Sequence, residues 1–303
     1  MDKRVRLAIQ GIAALIQNAN LKGFFTGRIY QGATKAVCVP GLNCYSCPGA
    51  VGACPIGSVQ NTLSGLSIKI PYYVLGLLIF FGALLGRAIC GFLCPFGLLQ
   101  DLLNRIPIGR KVGSAKAAEA AEAAGAGARK ERADTWTKFD RKLRKLKYVV
   151  LLVLVIVVPM AVRLTPAFCK YVCPSGTLSG LLLALGDSKL FAILGSTFAW
   201  KVSVLALVVV VSVLIYRPFC KYLCPQGAIY APFNKIALLH MSCDKTACVN
   251  CGACAAVCGM GVDPSENPND LECIRCGQCV KACPAKALAY EFGVGYKEAE
   301  KAS

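Results

Sequence analysis

Two runs of four cysteines near the C-terminal end share one spacing, and that repeat restricts the local fold more than any other feature of the chain. The first is Cys248-x-x-Cys251-x-x-Cys254-x-x-x-Cys258. The second is Cys273-x-x-Cys276-x-x-Cys279-x-x-x-Cys283-Pro284. Three thiols two residues apart wrap a tight loop around one cubane, and the fourth lies where the chain leads away to the other cube. Cys248, Cys251, Cys254 and Cys283 are therefore expected to hold one [4Fe–4S] cluster. Cys258, Cys273, Cys276 and Cys279 are expected to hold the second. Structural zinc sites use other spacings, and disulfides are not expected in a cytosolic domain. Cys243 lies outside both runs and reads as a small buried hydrophobe. His240 reads as a structural residue at the start of the domain.

The rest of the chain is apolar. Hydrophobic residues make up 56% of the 303 residues, and the mean hydropathy is +0.55. A soluble chain is usually about 45–50% apolar, so the excess points to a membrane. Ile70–Gly86, Tyr148–Val162 and Leu190–Tyr216 read as spanning helices. Tyr72, Tyr73, Tyr148 and Tyr216 lie near their ends, where aromatic belts sit. Leu7–Leu21, interrupted by Gln10, Gln17, Asn18 and Asn20, reads as a first span, with an interfacial helix as the alternative. Pro174–Gly186 is apolar but too short to cross, and reads as a re-entrant or interfacial half-helix. Lys3, Arg4 and Arg6 make a positive start, but no small-residue cleavage site follows them.

A net charge of +18 suggests nucleic acid in a soluble protein. In a membrane protein, basic residues in cytoplasmic loops that set topology explain it better, so no nucleic-acid partner is expected. Ala115–Ala128 is almost all Ala, Glu and Gly. Arg129, Lys130, Arg132, Lys138, Arg141, Lys142, Arg144, Lys145 and Lys147 follow. The positive-inside rule places this loop, 107–146, in the cytoplasm. Counting spans then puts the N-terminus and the C-terminal module there too, in a multi-pass protein of the cell membrane. The expected domains are a transmembrane domain over 1–237, a ferredoxin domain over 238–292 and a tail over 293–303.

Of the 19 cysteines, ten precede His240, and six of those form three copies of one element. The copies are Cys90-Gly-Phe-Leu-Cys94-Pro-Phe-Gly97, Cys169-Lys-Tyr-Val-Cys173-Pro-Ser-Gly176 and Cys220-Lys-Tyr-Leu-Cys224-Pro-Gln-Gly227. A partial copy, Cys54-Pro-Ile-Gly57, follows Cys38, Cys44 and Cys47. Cysteines at i and i+4 share a helix face. Proline ends the helix at the second cysteine, and the glycine lets the chain turn. Each element thus presents two thiols, half of a cluster site. Topology pairs Cys90 and Cys94 with Cys220 and Cys224 on the cytoplasmic side. It puts Cys38, Cys44, Cys47, Cys54, Cys169 and Cys173 on the opposite side, where six thiols could hold one cluster with two left over, or act as dithiol pairs.

With these residues in view, the chain resembles the polyferredoxin-like membrane proteins of the NapH and MauN types and the C-terminal membrane part of NosR. Its last segment is similar to bacterial-type two-cluster ferredoxins, except at Gly259, where a proline usually follows the fourth cysteine. The third full C-x-x-x-C-P element is an addition to the two of the better-known members. The resemblance implies a membrane all-α protein of about four transmembrane helices, with short interfacial or re-entrant helices and a C-terminal α+β two-cluster ferredoxin domain. It implies two [4Fe–4S] clusters, with one or two further iron–sulfur clusters in the membrane domain. It also implies electron transfer between a cytoplasmic or quinone-level donor and a membrane or extracytoplasmic redox system.

Two other readings stay open on sequence. One is a transmembrane thiol/disulfide relay. The other is a non-catalytic anchor or maturation subunit of a reductase. A single histidine cannot supply two axial haem ligands. No nucleotide-phosphate loop, flavin motif or nucleophile–base arrangement points to independent catalysis, so an electron-transfer subunit is expected rather than a stand-alone enzyme.

Overall fold

Proline sets several of the helix starts. The computed structural model describes residues 2–65, 70–106, 139–186 and 195–293. Helices begin at the prolines of Pro55–Leu63, Pro95–Leu103, Pro174–Gly186, Pro218–Tyr222 and Pro225–Tyr230. Proline suits a first helical position because its missing N–H has no partner to lose and its φ is preset. The residue before it is driven to extended backbone. Cys54, Cys94 and Cys224 show this, with ψ of 127°, 115° and 111°. Residues 107–138 of the expected basic loop, residues 187–194 and the tail from 294 lie outside the described residues.

The polypeptide is mostly helical. Tyr72–Leu85 and Ser196–Leu214 are apolar helices, and Leu146–Val150 runs through a π-helical stretch, Leu151–Val157, into Val158–Ala161. Among the described residues, Ser196–Leu214 is the one helix long and apolar enough to cross a membrane. Large apolar side chains point outward from all three, among them Phe80, Leu152 and Leu207. Pro174–Gly186 forms one helix over the expected range.

The first stretch departs from expectation. The helix there is Lys3–Gln17, and a separate short helix, Leu21–Thr26, follows it. Fifteen residues rise only about 22 Å, short of the ~30 Å hydrocarbon core. The helix also buries its polar side. Arg6, Gln10 and Gln17 are buried, whereas Val5, Ile12, Leu15 and Ile16 are exposed. Gln17, Asn18 and Asn20, three of the polar residues that interrupted the apolar run, find protein partners there. Arg6 donates to Asp101 and Tyr216, and Gln17 donates to the Leu93 carbonyl.

After residue 238 the chain forms a two-stranded antiparallel sheet, β1 (Leu239–Cys243) with β2 (Leu288–Phe292), in which Leu239 faces Phe292. His240 sits on β1 with Nε2 3.4 Å from Glu291. Two short helices, Ala253–Ala256 and Gln278–Ala282, complete this region. It packs tightly on the helices. A Cβ on Gly91 would lie 2.4 Å from the Ile274 carbonyl oxygen. A Cβ on Gly259 would lie 2.6 Å from the Tyr216 ring. Gly259 therefore leaves room for that ring, which accounts physically for the departure from the usual proline. Arg144, held by Asp140, donates to the Met260 carbonyl at 2.8 Å.

Candidate metal centres

The C-terminal cysteines occupy loops bent by left-handed residues. Asn250 and Gly252 flank Cys251 with φ of 51° and 71°, and Arg275 and Gly277 flank Cys276 with 53° and 75°. Glycine takes this conformation without steric cost; a side chain does not. The repetition gives the two loops one shape. A cavity is lined by Cys248, Cys251, Cys254 and Cys283, the four thiols the sequence assigns to one cluster. Cys243 lines it as well and interacts with Cys248. Cys243 is thus a fifth thiol at the cavity wall, half-buried rather than sealed in the core. Cys258, Cys273, Cys276 and Cys279 lie within electrostatic reach of one another. Burial pushes the Cys273 and Cys279 thiols up to about 12. They stay protonated at neutral pH unless a metal takes the proton's place.

The helical region assembles two thiol quartets. In the first, Cys90, Cys94, Cys220 and Cys224 lie within electrostatic reach of one another, and all are buried. In the second, Cys44 and Cys54 face Cys169 and Cys173. Cys38 and Cys47 stand apart from it. The Cys38 thiol pairs with the Ser58 hydroxyl at 3.4 Å, and Cys47 is buried in its own turn. Of the six thiols expected opposite the cytoplasm, the structure thus gathers four and leaves two.

A pair of glutamines outside the candidate ligands ties each quartet together. Gln60 is donated to by the Cys169 amide at 3.2 Å and donates to the Leu154 carbonyl at 2.7 Å, within the π-helical stretch. Gln100 is donated to by the Phe219 amide at 3.2 Å and donates to the Cys220 sulfur at 3.1 Å. Both stand six residues past a Cys-Pro cysteine, in Cys54-Pro-Ile-Gly-Ser-Val-Gln60 and Cys94-Pro-Phe-Gly-Leu-Leu-Gln100. That shared spacing was available in the sequence and goes beyond the cysteine motif.

The motif glycine has a different task from the one expected. Gly97 and Gly227 lie inside helices, two residues past the first-turn proline, with no left-handed φ. A Cβ on Gly97 would sit 3.0 Å from the Cys90 carbonyl oxygen, and one on Gly227 would sit 3.3 Å from that of Cys220. The glycine lets the two halves of each element close up; it does not turn the chain. The amides of Gly176 and Gly227 point at the Cys173 and Cys224 sulfurs, each at 3.4 Å. Each such cysteine caps a helix N-terminus, where N–H groups favour an anionic sulfur.

The two quartets are joined through one packed core. Cys54, Cys94, Cys173 and Cys224 share one hydrophobic cluster with Leu42 and Ile56. The loop 38–54 folds inward because Gln226 and Tyr230 both donate to the Pro40 carbonyl. Lys201, within electrostatic reach of Cys169 and Cys173, lies about 20 Å along the helix from Leu214. The second quartet is thus displaced from the C-terminal region but joined to the first through packed side chains.

Among the described residues, no three His, Cys, Asp or Glu side chains converge closely enough for a single metal ion. A cubane spreads its thiolates over several irons, so thiols that line a cavity without meeting at a point suit it.

Comparison with known proteins adds the following. A 4Fe–4S binding domain model matches residues 70–114, 147–190 and 197–241, and each match contains one full C-x-x-x-C-P element. A second 4Fe–4S binding domain model matches 268–289. The chain is 26% identical over 110 residues to an uncharacterized protein of Methanocaldococcus jannaschii, covering 36% of this chain and 44% of that one. It is 25% identical over 133 residues to the methylamine utilization ferredoxin-type protein MauN of Methylobacillus flagellatus, covering 30% and 47%. To MauN of Paracoccus denitrificans it is 35% identical over 68 residues, covering 22% and 23%. The chain spans less than half the length of each of these relatives. No solved structure matches.

Proposed function

We propose, from the premise that this chain belongs to the polyferredoxin-like family of ferredoxin-type 4Fe–4S electron-transfer proteins, that it conducts electrons into and across a membrane through four thiol sites in series. The observation that carries this reading is the unbroken packing from one site to the next. Cys243 and the two C-terminal runs form one compact unit. Ile274, beside Cys273, presses on Gly91, beside Cys90. Cys94 and Cys224 share a core with Cys54 and Cys173.

The ligand sets are Cys248, Cys251, Cys254 and Cys283; Cys258, Cys273, Cys276 and Cys279; Cys90, Cys94, Cys220 and Cys224; and Cys44, Cys54, Cys169 and Cys173. Bound there, iron–sulfur clusters supply one-electron carriers. The chain's own part is to supply thiolates, exclude water and fix spacing. Quartets that are buried or half-buried, each with one thiol at a helix N-terminus, serve that part better than a dithiol/disulfide relay, which needs accessible pairs.

The membrane placement rests on surface chemistry. Lys3–Gln17 turns its polar face to protein and its apolar face outward. Tyr72–Leu85, the Leu146–Ala161 segment and Ser196–Leu214 expose apolar side chains over most of their length. Apolar exposure on this scale needs a partner, and lipid suits a belt that runs around several helices. The interfacial alternative for the first helix fits its 15 residues. Donor and acceptor are redox proteins or a quinone. The C-terminal region and the basic loop lie on the cytoplasmic side in this reading.

Anaerobic purification followed by iron and sulfide analysis tests the reading. Four loaded sites give about sixteen irons per chain. About eight, with EPR signals of the C-terminal clusters alone, would sink the helical sites.

A further inference from the structure

Two arginines lie at the first quartet, and neither cysteine motif accounts for them. Arg87 stands three residues before Cys90, and Arg217 stands three before Cys220. Both side chains have 0% exposure. Each crosses to the other's element. Arg87 donates to the Cys220 carbonyl at 3.3 Å, and Arg217 donates to the Cys90 carbonyl at 2.5 Å. The remaining full element, Cys169–Cys173, has no such arginine, since Pro166 holds the matching position.

The surrounding charges do not balance. Arg217 makes a two-pronged bond to Asp101, at 2.7 and 2.6 Å, and Arg6 shares that carboxylate at 2.9 Å. Arg87 reaches Glu272 at 2.7 Å, and buried Lys147 shares it. Each trio keeps one positive charge in excess. Excess buried charge is costly unless an opposite charge meets it. Arg217 also sits in a left-handed conformation, φ 48° and ψ 53°, which a non-glycine residue adopts only where its surroundings hold it. Four thiolates outweigh the charge of the iron–sulfur core they bind and leave the whole anionic, so a cluster at Cys90, Cys94, Cys220 and Cys224 completes the balance.

We propose that Arg87 and Arg217 form a reciprocal cationic clamp that stabilises the reduced form of the cluster at this quartet and so raises its midpoint potential. The inference rests on the reading that the quartet holds a cluster. Reduction adds one electron and no proton to the site, so the state with more negative charge gains more from fixed positive charge. Arg87 and Arg217 are positioning residues: they touch the ligand backbone and not the iron.

The test is an EPR-monitored redox titration of the full chain, purified anaerobically and reduced stepwise with dithionite. The signal is assigned by its loss in the Cys90→Ser/Cys220→Ser double variant. Arg87→Gln and Arg217→Gln should each lower the equilibrium constant for reduction at least tenfold, a shift of 59 mV to more negative potential for one electron. Arg217→Lys, which keeps the charge, should stay nearer the parent. Asp101→Asn, which frees positive charge, should shift the midpoint the other way, and the C-terminal clusters should move less in every variant.

An unchanged midpoint in the glutamine variants overturns the clamp, as does a lysine variant that shifts as far as glutamine. If both glutamine variants lose the signal, Asp101→Asn decides, and a midpoint that stays put or falls overturns it. Absence of the signal from the parent protein instead refutes the cluster reading beneath it.

Discussion

The C-terminal runs and the helical quartets both offer four thiols to one site, but they gather them differently. In the C-terminal region three of each four come from one seven-residue stretch, shaped by left-handed residues on either side of the middle cysteine. In the helical region each site takes two thiols from each of two segments more than a hundred residues apart in sequence. The first design fixes ligands through local backbone. The second fixes them through buried polar ties, Gln60 and Gln100 among them, between helices that meet only in the fold. Local loops hold their shape even when the rest loosens, whereas assembled quartets depend on every tie.

The largest expected effect breaks this comparison at its centre. The Cys90→Ser/Cys220→Ser variant should lose about four irons per chain and the matching EPR signal while the C-terminal signals persist. Loss of all signals together would mean the two regions do not load independently.

The next test separates the six cysteines of the second group. Cys173→Ser should remove the second quartet's iron, and Cys38→Ser and Cys47→Ser should leave the iron content unchanged. Equal losses from all three would refute the quartet as drawn.

Gly91→Ala puts a methyl group against the Ile274 carbonyl. It should cost about 1–3 kcal/mol in thermal or chemical unfolding and slow electron passage from the C-terminal clusters. Gly11→Ala, where nothing lies within 4 Å and a helix interior favours alanine, is the control that should not destabilise. An equal response from both would remove the tight contact as a cause.

The smallest effect concerns the clasp between the regions. Burial alone would raise the Asp140 carboxyl, but Lys221, Tyr222 and Arg144 outweigh it and hold the carboxyl below its ordinary value. A lowered folded value stabilises the protein above the ordinary carboxylate range of about 3.9. That contribution is lost as pH falls through the folded value. Asp140→Asn should therefore lower the unfolding temperature near neutrality, and its gap from the parent should close in acid. A gap independent of pH would show that the carboxylate charge does not hold Arg144.

Much of this was legible in the sequence, for reasons that particular residues make clear. The C-terminal motif needs only local spacing, so Cys248 to Cys283 could be sorted without a fold. The pairing of Cys90 and Cys94 with Cys220 and Cys224 followed from counting apolar stretches, and the structure brings those four together. Other features were hidden. Gln10 and Gln17 looked like interruptions of a span, because nothing local reveals that their helix packs its polar face inward. Gly97 and Gly227 looked like turn residues, because the carbonyl that excludes a side chain comes from the other half of the element.

The sequence alone settled that this chain holds ferredoxin-type 4Fe–4S motifs and repeated cysteine pairs at helix breaks. Both are short-range facts of spacing and proline geometry. Only the tertiary structure decided which two of four thiols join Cys169 and Cys173, and that Arg87 and Arg217 reach across to each other's cysteines. Those depend on where distant helices meet, and burial there makes each unmatched charge or hydrogen bond costly enough to fix the arrangement.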